Sequence, residues 1–204
     1  MDTAPLHIVA LGDSLTEGFG VAPGDAYPYV LQQMLEDDGI ACRLINFGVS
    51  GDTCRGVLAR LDTIPSWSPD LVILEIGVND ILMGRWPERI QADLGAIVQR
   101  LVGWRIPVAL AGMQMPPLGD PETETAFAAI YPAVAQAFRI PLIADFTAPL
   151  WAVPNRVQYD GLHPNAEGYR AICAHIRPTV MRIIRALPSF SKMAPGNKKD
   201  FGTT

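Results

Sequence analysis

Cysteine is scarce: the chain has 3 in 204 residues, Cys42, Cys54 and Cys173. They are too few and too scattered for a disulfide framework or a zinc site, so no metal is expected. They read as small core residues, and Cys54, near a predicted helix start, is the one whose position would favour a reactive thiol. Basic residues do not predominate either. Against 21 Asp and Glu stand 16 Lys and Arg, a formal charge of −5, which gives no basic face for a nucleic-acid partner. No apolar run approaches the ~20 residues needed to span a bilayer, so no integral membrane segment is expected. Met1-Asp2-Thr3-Ala4-Pro5 has neither a positive n-region nor an apolar h-region. The expectation is therefore a cytoplasmic protein, or a periplasmic or secreted one if a signal has been removed. Also missing are the Gly-x-Ser-x-Gly elbow of α/β-hydrolases and a Gly-x4-Gly-Lys-Ser/Thr phosphate loop. No internal repeat and no linker interrupts the body of the chain.

What is present is apolar and regularly patterned. With 49% apolar and 18% charged residues, the composition is that of a compact globular protein. One domain is expected over residues 1–187, and 188–204, rich in Pro, Gly, Ser and Lys, reads as a flexible tail. Short, predominantly apolar and non-alternating segments at 6–11, 43–47, 71–76, 108–113 and 142–145 predict strands covered on both faces. Amphipathic patterns at 27–38, 54–62, 88–104, 123–138 and 165–187 predict helices. In the third, Ile90, Leu94, Ile97, Val98, Leu101 and Val102 form one stripe. The alternation implies an α/β fold, a three-layer α/β/α sandwich around a five-stranded parallel sheet of flavodoxin-like order. Ligands of such sheets bind beyond the carboxyl ends of the strands, which directs attention to "GDS", "GVSGDT" and "GVND" after the first three strands.

Ser14, in the first of these, becomes a nucleophile only with a base, usually histidine. Of the three histidines, His7 is placed at the wrong end of the sheet and His175 inside the last helical pattern. His163, in the turn-rich "YDGLHPN", is the remaining candidate. Asp160 stands three residues ahead, a spacing that lets a carboxylate reach the imidazole Nδ1 in a tight turn and leaves Nε2 free to accept a proton. The other reading of Asp160 and His163 at this level is that they only organise a loop. An acyl-transfer site also needs donors for an oxyanion. Candidates are the backbone N–H of Ser14, the backbone at Gly51, where no Cβ blocks close approach, and the side-chain amide of Asn79.

Four blocks, "GDSLTEG" at 12–18, "NFGVSGDT" at 46–53, "GVND" at 77–80 and "DGLHPN" at 160–165, resemble in content, order and spacing those of the SGNH (GDSL) hydrolases. The richer matches look most like the bacterial thioesterase, arylesterase and lysophospholipase branch. The resemblance implies ester hydrolysis without a cofactor. It makes Ser14 the nucleophile, His163 the base, Asp160 its orienting partner, and Ser14, Gly51 and Asn79 the oxyanion hole. Asp13 would tie the nucleophile loop together. One departure is Val78, where the thioesterase branch often has a second glycine.

The expected substrate is a small-molecule ester or thioester with a short to medium acyl chain or an aryl group. Leu82, Met83, Trp86, Met115, Leu118 and Trp151, with Val153, supply apolar surface in the loops beside this edge. A carbohydrate O-acetyl esterase or a lysophospholipase of the same family is the alternative. Two rivals use the same edge differently: a non-catalytic flavodoxin-like binding module, and a metal-dependent phosphoesterase built on Asp13, Asp52, Asp80, Asp160 and His163.

Overall fold

The computed structural model describes residues 4–114, 120–153, 155–188 and 190. Strand β1 (Leu6–Gly12) is almost wholly buried. It stops where Asp13 caps a single helical turn, α1 (Ser14–Glu17), its Oδ1 accepting the Leu15 N–H at 3.0 Å. Gly18, at φ 93°, ends that turn in the left-handed conformation that glycine adopts without strain. Helix α2 (Tyr27–Asp37) leads to β2 (Cys42–Gly48). Helix α3 (Cys54–Arg60) is capped by Thr53, whose hydroxyl accepts the Gly56 N–H at 3.2 Å. The helix expected over 54–62 tightens into a 3₁₀ turn at Leu61–Trp67, which contains Pro65.

β3 (Leu71–Glu75) is followed by the short α4 (Val78–Leu82) and by α5 (Pro87–Gly103). On α5, Ile90, Leu94, Ile97, Val98 and Leu101 are buried, each stabilising the fold by about 1.5–3 kcal/mol. Val102, at the edge of the predicted stripe, is exposed instead. β4 (Val108–Ala111), α6 (Pro121–Phe138), β5 (Leu142–Ile143), α7 (Ala148–Trp151) and α8 (Ala166–Arg185) complete the order. β5 is shorter than the expected 142–145 because Asp145 turns to φ 53°, which takes it out of the extended range a ladder needs. Among the described residues no helix is long and apolar enough to cross a membrane.

All strand pairs are parallel and run β2-β1-β3-β4-β5, the flavodoxin-like order. Helices α2 and α8 pack together on one side, and α3, α5 and α6 form a second packed group. The strand order reverses between β1 and β3, the switch point at which such sheets open a crevice. There the register sets Gly12 beside both Gly48 and Glu75. A Cβ on Gly12 would lie 2.1 Å from Thr16 Oγ1 and 2.3 Å from Glu75 O, and one on Gly48 would lie 2.1 Å from Glu17 N. The two glycines therefore let α1 settle directly onto the strand ends, and this fixes where Ser14 stands.

Candidate active site

Ser14 is the first residue of α1, and its Oγ lies 2.9 Å from His163 Nε2. On the other side of the ring, His163 Nδ1 is 2.7 Å from Asp160 Oδ2. Asp160 Oδ1 accepts the N–H groups of Leu162 at 2.9 Å and His163 at 3.0 Å. Burial alone would raise the Asp160 carboxyl. The hydrogen bonds from Leu162, the His163 ring and the His163 N–H outweigh it and hold the carboxyl below its ordinary value. It is therefore an anion, suited to receiving an Nδ1–H and leaving Nε2 facing Ser14.

The turn carrying His163 is itself held at several points. Val157 and Pro164 pair across it, and the Gln158 N–H donates to His163 O at 2.8 Å. The Gln158 side-chain amide donates to Phe19 O at 2.8 Å and Pro164 O at 2.9 Å. The Phe19 ring lies 4.6 Å from the His163 ring. The loop after α1 and the turn before α8 are thus joined by residues absent from the sequence-level site. The bond from Gln158 to Phe19 O joins residues 139 apart in the chain, which no motif announces.

The candidate oxyanion donors differ from one another. Ser14 N–H and Gly51 N–H have no acceptor among the described residues. Gly51 holds φ 78°, and a Cβ there would meet nothing within 4 Å; its glycine serves the backbone conformation rather than space. The loop bearing Gly51 is tied to α1 through Glu17, whose carboxylate accepts the Ser50 N–H at 2.9 Å and also the Ser50 hydroxyl. Asn79 Nδ2 has both protons engaged, at 2.8 Å to Asp52 O and at 3.2 Å to Asp13 Oδ2.

Under Ser14 lies a buried carboxyl pair. Asp13 is 1% exposed; burial and the charges of Asp52 and Asp80 outweigh its bonds from Leu15 and Asn79 and push it up to about 7. Glu75 is 0% exposed, accepts the Thr16 hydroxyl at 2.7 Å, and leaves Oε1 without a partner. Burial first, and then the neighbouring Asp13, raises Glu75 well above its ordinary value, which favours its neutral form. Arg60 straps the same region. It donates to Asp52 Oδ2 at 2.8 Å, Phe47 O at 2.9 Å and Gly12 O at 3.0 Å.

The other predicted residues fall less centrally. Leu82, Met83, Trp86 and Val153 are exposed. Trp151, on α7, is packed partly into the core. Met115 and Leu118 lie outside the described residues. Cys54 is buried at the start of α3, and burial raises its thiol, so it is a core residue. The carboxylates that would build a metal site have separate partners: Asp52 faces Arg60, Asp80 faces Arg85 at 2.6 Å, and Asp160 faces His163. Among the described residues no three His, Cys, Asp or Glu side chains converge as a metal site requires. His7 lies at the start of β1, at the end of the sheet away from Ser14, its N–H donating to Asp70 Oδ2 at 2.9 Å, and His175 is exposed on α8.

A parallel α/β/α sandwich that holds a serine, a histidine and an aspartate in one hydrogen-bonded line at its switch point is of the serine ester hydrolase class. The model of the GDSL-like lipase/acylhydrolase family matches residues 10–171, and the chain belongs to that family. It is 32% identical over 178 residues to esterase TesA of Pseudomonas aeruginosa, covering 87% of this chain and 89% of the relative. To the thioesterase 1/protease 1/lysophospholipase L1 of Escherichia coli it is 31% identical over 161 residues, 78% of this chain and 76% of the relative. The psychrotrophic esterase EstA of Pseudoalteromonas sp., whose structure was solved inhibited by monoethylphosphonate, superposes with a TM-score of 0.81. That match has 26% sequence identity and covers 88% of this chain and 98% of EstA.

Proposed function

We propose that the chain hydrolyses carboxylic esters and thioesters through an acyl-enzyme on Ser14. The observation that carries this reading is the 2.9 Å approach of His163 Nε2 to Ser14 Oγ, backed by the 2.7 Å contact of Nδ1 with ionised Asp160. His163 takes the serine proton as Oγ attacks the carbonyl carbon. The charge that develops on the carbonyl oxygen is met by the Ser14 and Gly51 N–H groups and by the Asn79 amide, which leaves Asp13 to do so. The tetrahedral adduct collapses as His163 protonates the departing alcohol or thiol. Water, activated by the same base, then releases the acid.

Relatives named esterase, thioesterase and lysophospholipase support an acyl-ester substrate class. Leu82, Met83 and Trp86, exposed just beyond Asn79 on α4 and the loop after it, are the apolar surface proposed to take the acyl or aryl group. The inhibition of EstA by a phosphonate supports trapping the nucleophile in the same way here. A fluorophosphonate is expected to add to Ser14 stoichiometrically, with the adduct found by peptide mass analysis. A panel of esters and thioesters of increasing acyl length then ranks substrates by kcat/KM. Labelling of another residue, or esterase activity undiminished by full labelling, overturns the reading.

A further inference from the structure

At the opposite end of the sheet from Ser14, α5 and α6 end alike. Residues 104–107 read WRIP and residues 138–141 read FRIP, each leading into one of two paired strands, β4 and β5. The recurrence is too short to be a structural repeat, yet its geometry is duplicated. Arg105 N–H donates to Val102 O at 2.8 Å and Ile106 N–H to Leu101 O at 3.1 Å. In the second copy, Arg139 N–H donates to Gln136 O at 3.2 Å and Ile140 N–H to Ala135 O at 3.0 Å. Both are Schellman endings, whose left-handed position is normally glycine. Here it is arginine twice, at φ 60° and 53°, a conformation that costs any residue with a Cβ.

Both arginines line one cleft of about 380 Å³. Its walls are apolar, including Val102, Ile106, Phe138, Ile140 and Ile183, and among the described residues the two arginines are its only charged lining residues. Neither guanidinium has an ion pair or hydrogen bond among the described residues. α8 adds Arg182 and Arg185 in its last turn, next to the lining residues Ile183 and Ala186. The neighbouring acid, Asp70, already accepts the His7 N–H at 2.9 Å. A cation at a helix C-terminus is favoured by the helix dipole. That accounts for the charge, but not for two guanidinium groups, unpaired among the described residues and held in left-handed backbone around one apolar cleft, in a chain of net charge −5.

We propose that this cleft binds a medium-chain alkyl carboxylate, its chain lying along the apolar walls and its head group between Arg105 and Arg139. A concave apolar site with a few orienting charges is the usual form of a small-molecule site, and the guanidinium fork matches a carboxylate in shape and charge. An alkyl carboxylate is also what hydrolysis of an aliphatic acyl ester releases, so the choice of occupant rests on the functional reading above, whereas the cleft and its charge do not.

The test is calorimetric titration of dodecanoate, below its micellar concentration, into the full chain after the serine has been blocked with a fluorophosphonate. Dodecyltrimethylammonium, with the same chain and the opposite charge, is the control. The blocked protein is expected to bind one dodecanoate and not the cation. The double variant Arg105→Gly/Arg139→Gly is expected to bind about 100-fold more weakly, roughly tenfold for each lost charge-assisted bond. Its thermal midpoint should not fall, because glycine relieves the left-handed backbone. No binding to the blocked protein, equal binding by the double variant, or equal binding of the cation overturns the proposal. Failure of the fluorophosphonate to label Ser14 overturns the functional reading instead, and the arginine variants still report on the cleft in unblocked protein.

Discussion

Thr16 donates its hydroxyl proton to Glu75 at 2.7 Å across the junction of α1 with the strand ends, so the turn that presents Ser14 rests on a carboxyl group sealed from water. Because burial favours the neutral form of Glu75, an amide is its conservative replacement. Glu75→Gln is expected to keep kcat within a few-fold of wild type, while Glu75→Ala leaves the Thr16 hydroxyl unpaired over a cavity. The alanine variant should lose about 2–4 kcal/mol of stability, measured by denaturant unfolding. Equal losses in the two variants would show that an amide does not replace the carboxyl group, against the neutral form.

The buried pair also sets a direction for pH. Asp13 rises from 3.8 to about 7 on folding, and Glu75 rises well above 4.5, so between those limits the folded state holds more protons than the unfolded one. Stability must then fall as pH rises through that window. Unfolding free energy is expected to be lower at pH 8 than at pH 5. Glu75→Gln should gain on the wild type as the pH is raised. Asp160 has the opposite sign, its contribution lost only as pH falls below 3.8, its ordinary value. A wild type equally stable at both pH values, or more stable at the higher one, would contradict the protonated pair.

Asn79→Ala removes the proposed oxyanion donor and also the bond to Asp52 O. A fall in kcat of about 10²- to 10³-fold with little change in KM is expected for a donor that acts in the transition state. A rise in KM with unchanged kcat would place Asn79 in ground-state binding instead.

How much of this was legible in the sequence depended on the kind of signal each residue carries. Strand cores such as Ile8 and Val72 announce themselves by continuous apolar runs. With only three histidines, His163 could be reached by elimination, and the four short blocks carried the family. Arg60, Gln158 and the Glu17–Ser50 contact were invisible, because they act on main-chain groups or side chains that only the folded sheet brings near. Glu75 was different. A carboxylate ending a strand predicted to be covered on both faces is an anomaly in the sequence itself, and reading it would have exposed the buried support under Ser14. Val102 shows the limit of periodicity, since a residue at the edge of a helical stripe is assigned by its neighbours and not by its own spacing.

The central claim is that Ser14 forms the acyl-enzyme, and the most direct measurement is the steady-state rate of p-nitrophenyl acetate hydrolysis by Ser14→Ala beside the wild type, with fluorophosphonate labelling of both. The account predicts that the variant loses turnover to near the background rate and takes up no label while keeping the wild-type thermal midpoint. Hydrolysis by Ser14→Ala at the wild-type rate would contradict it.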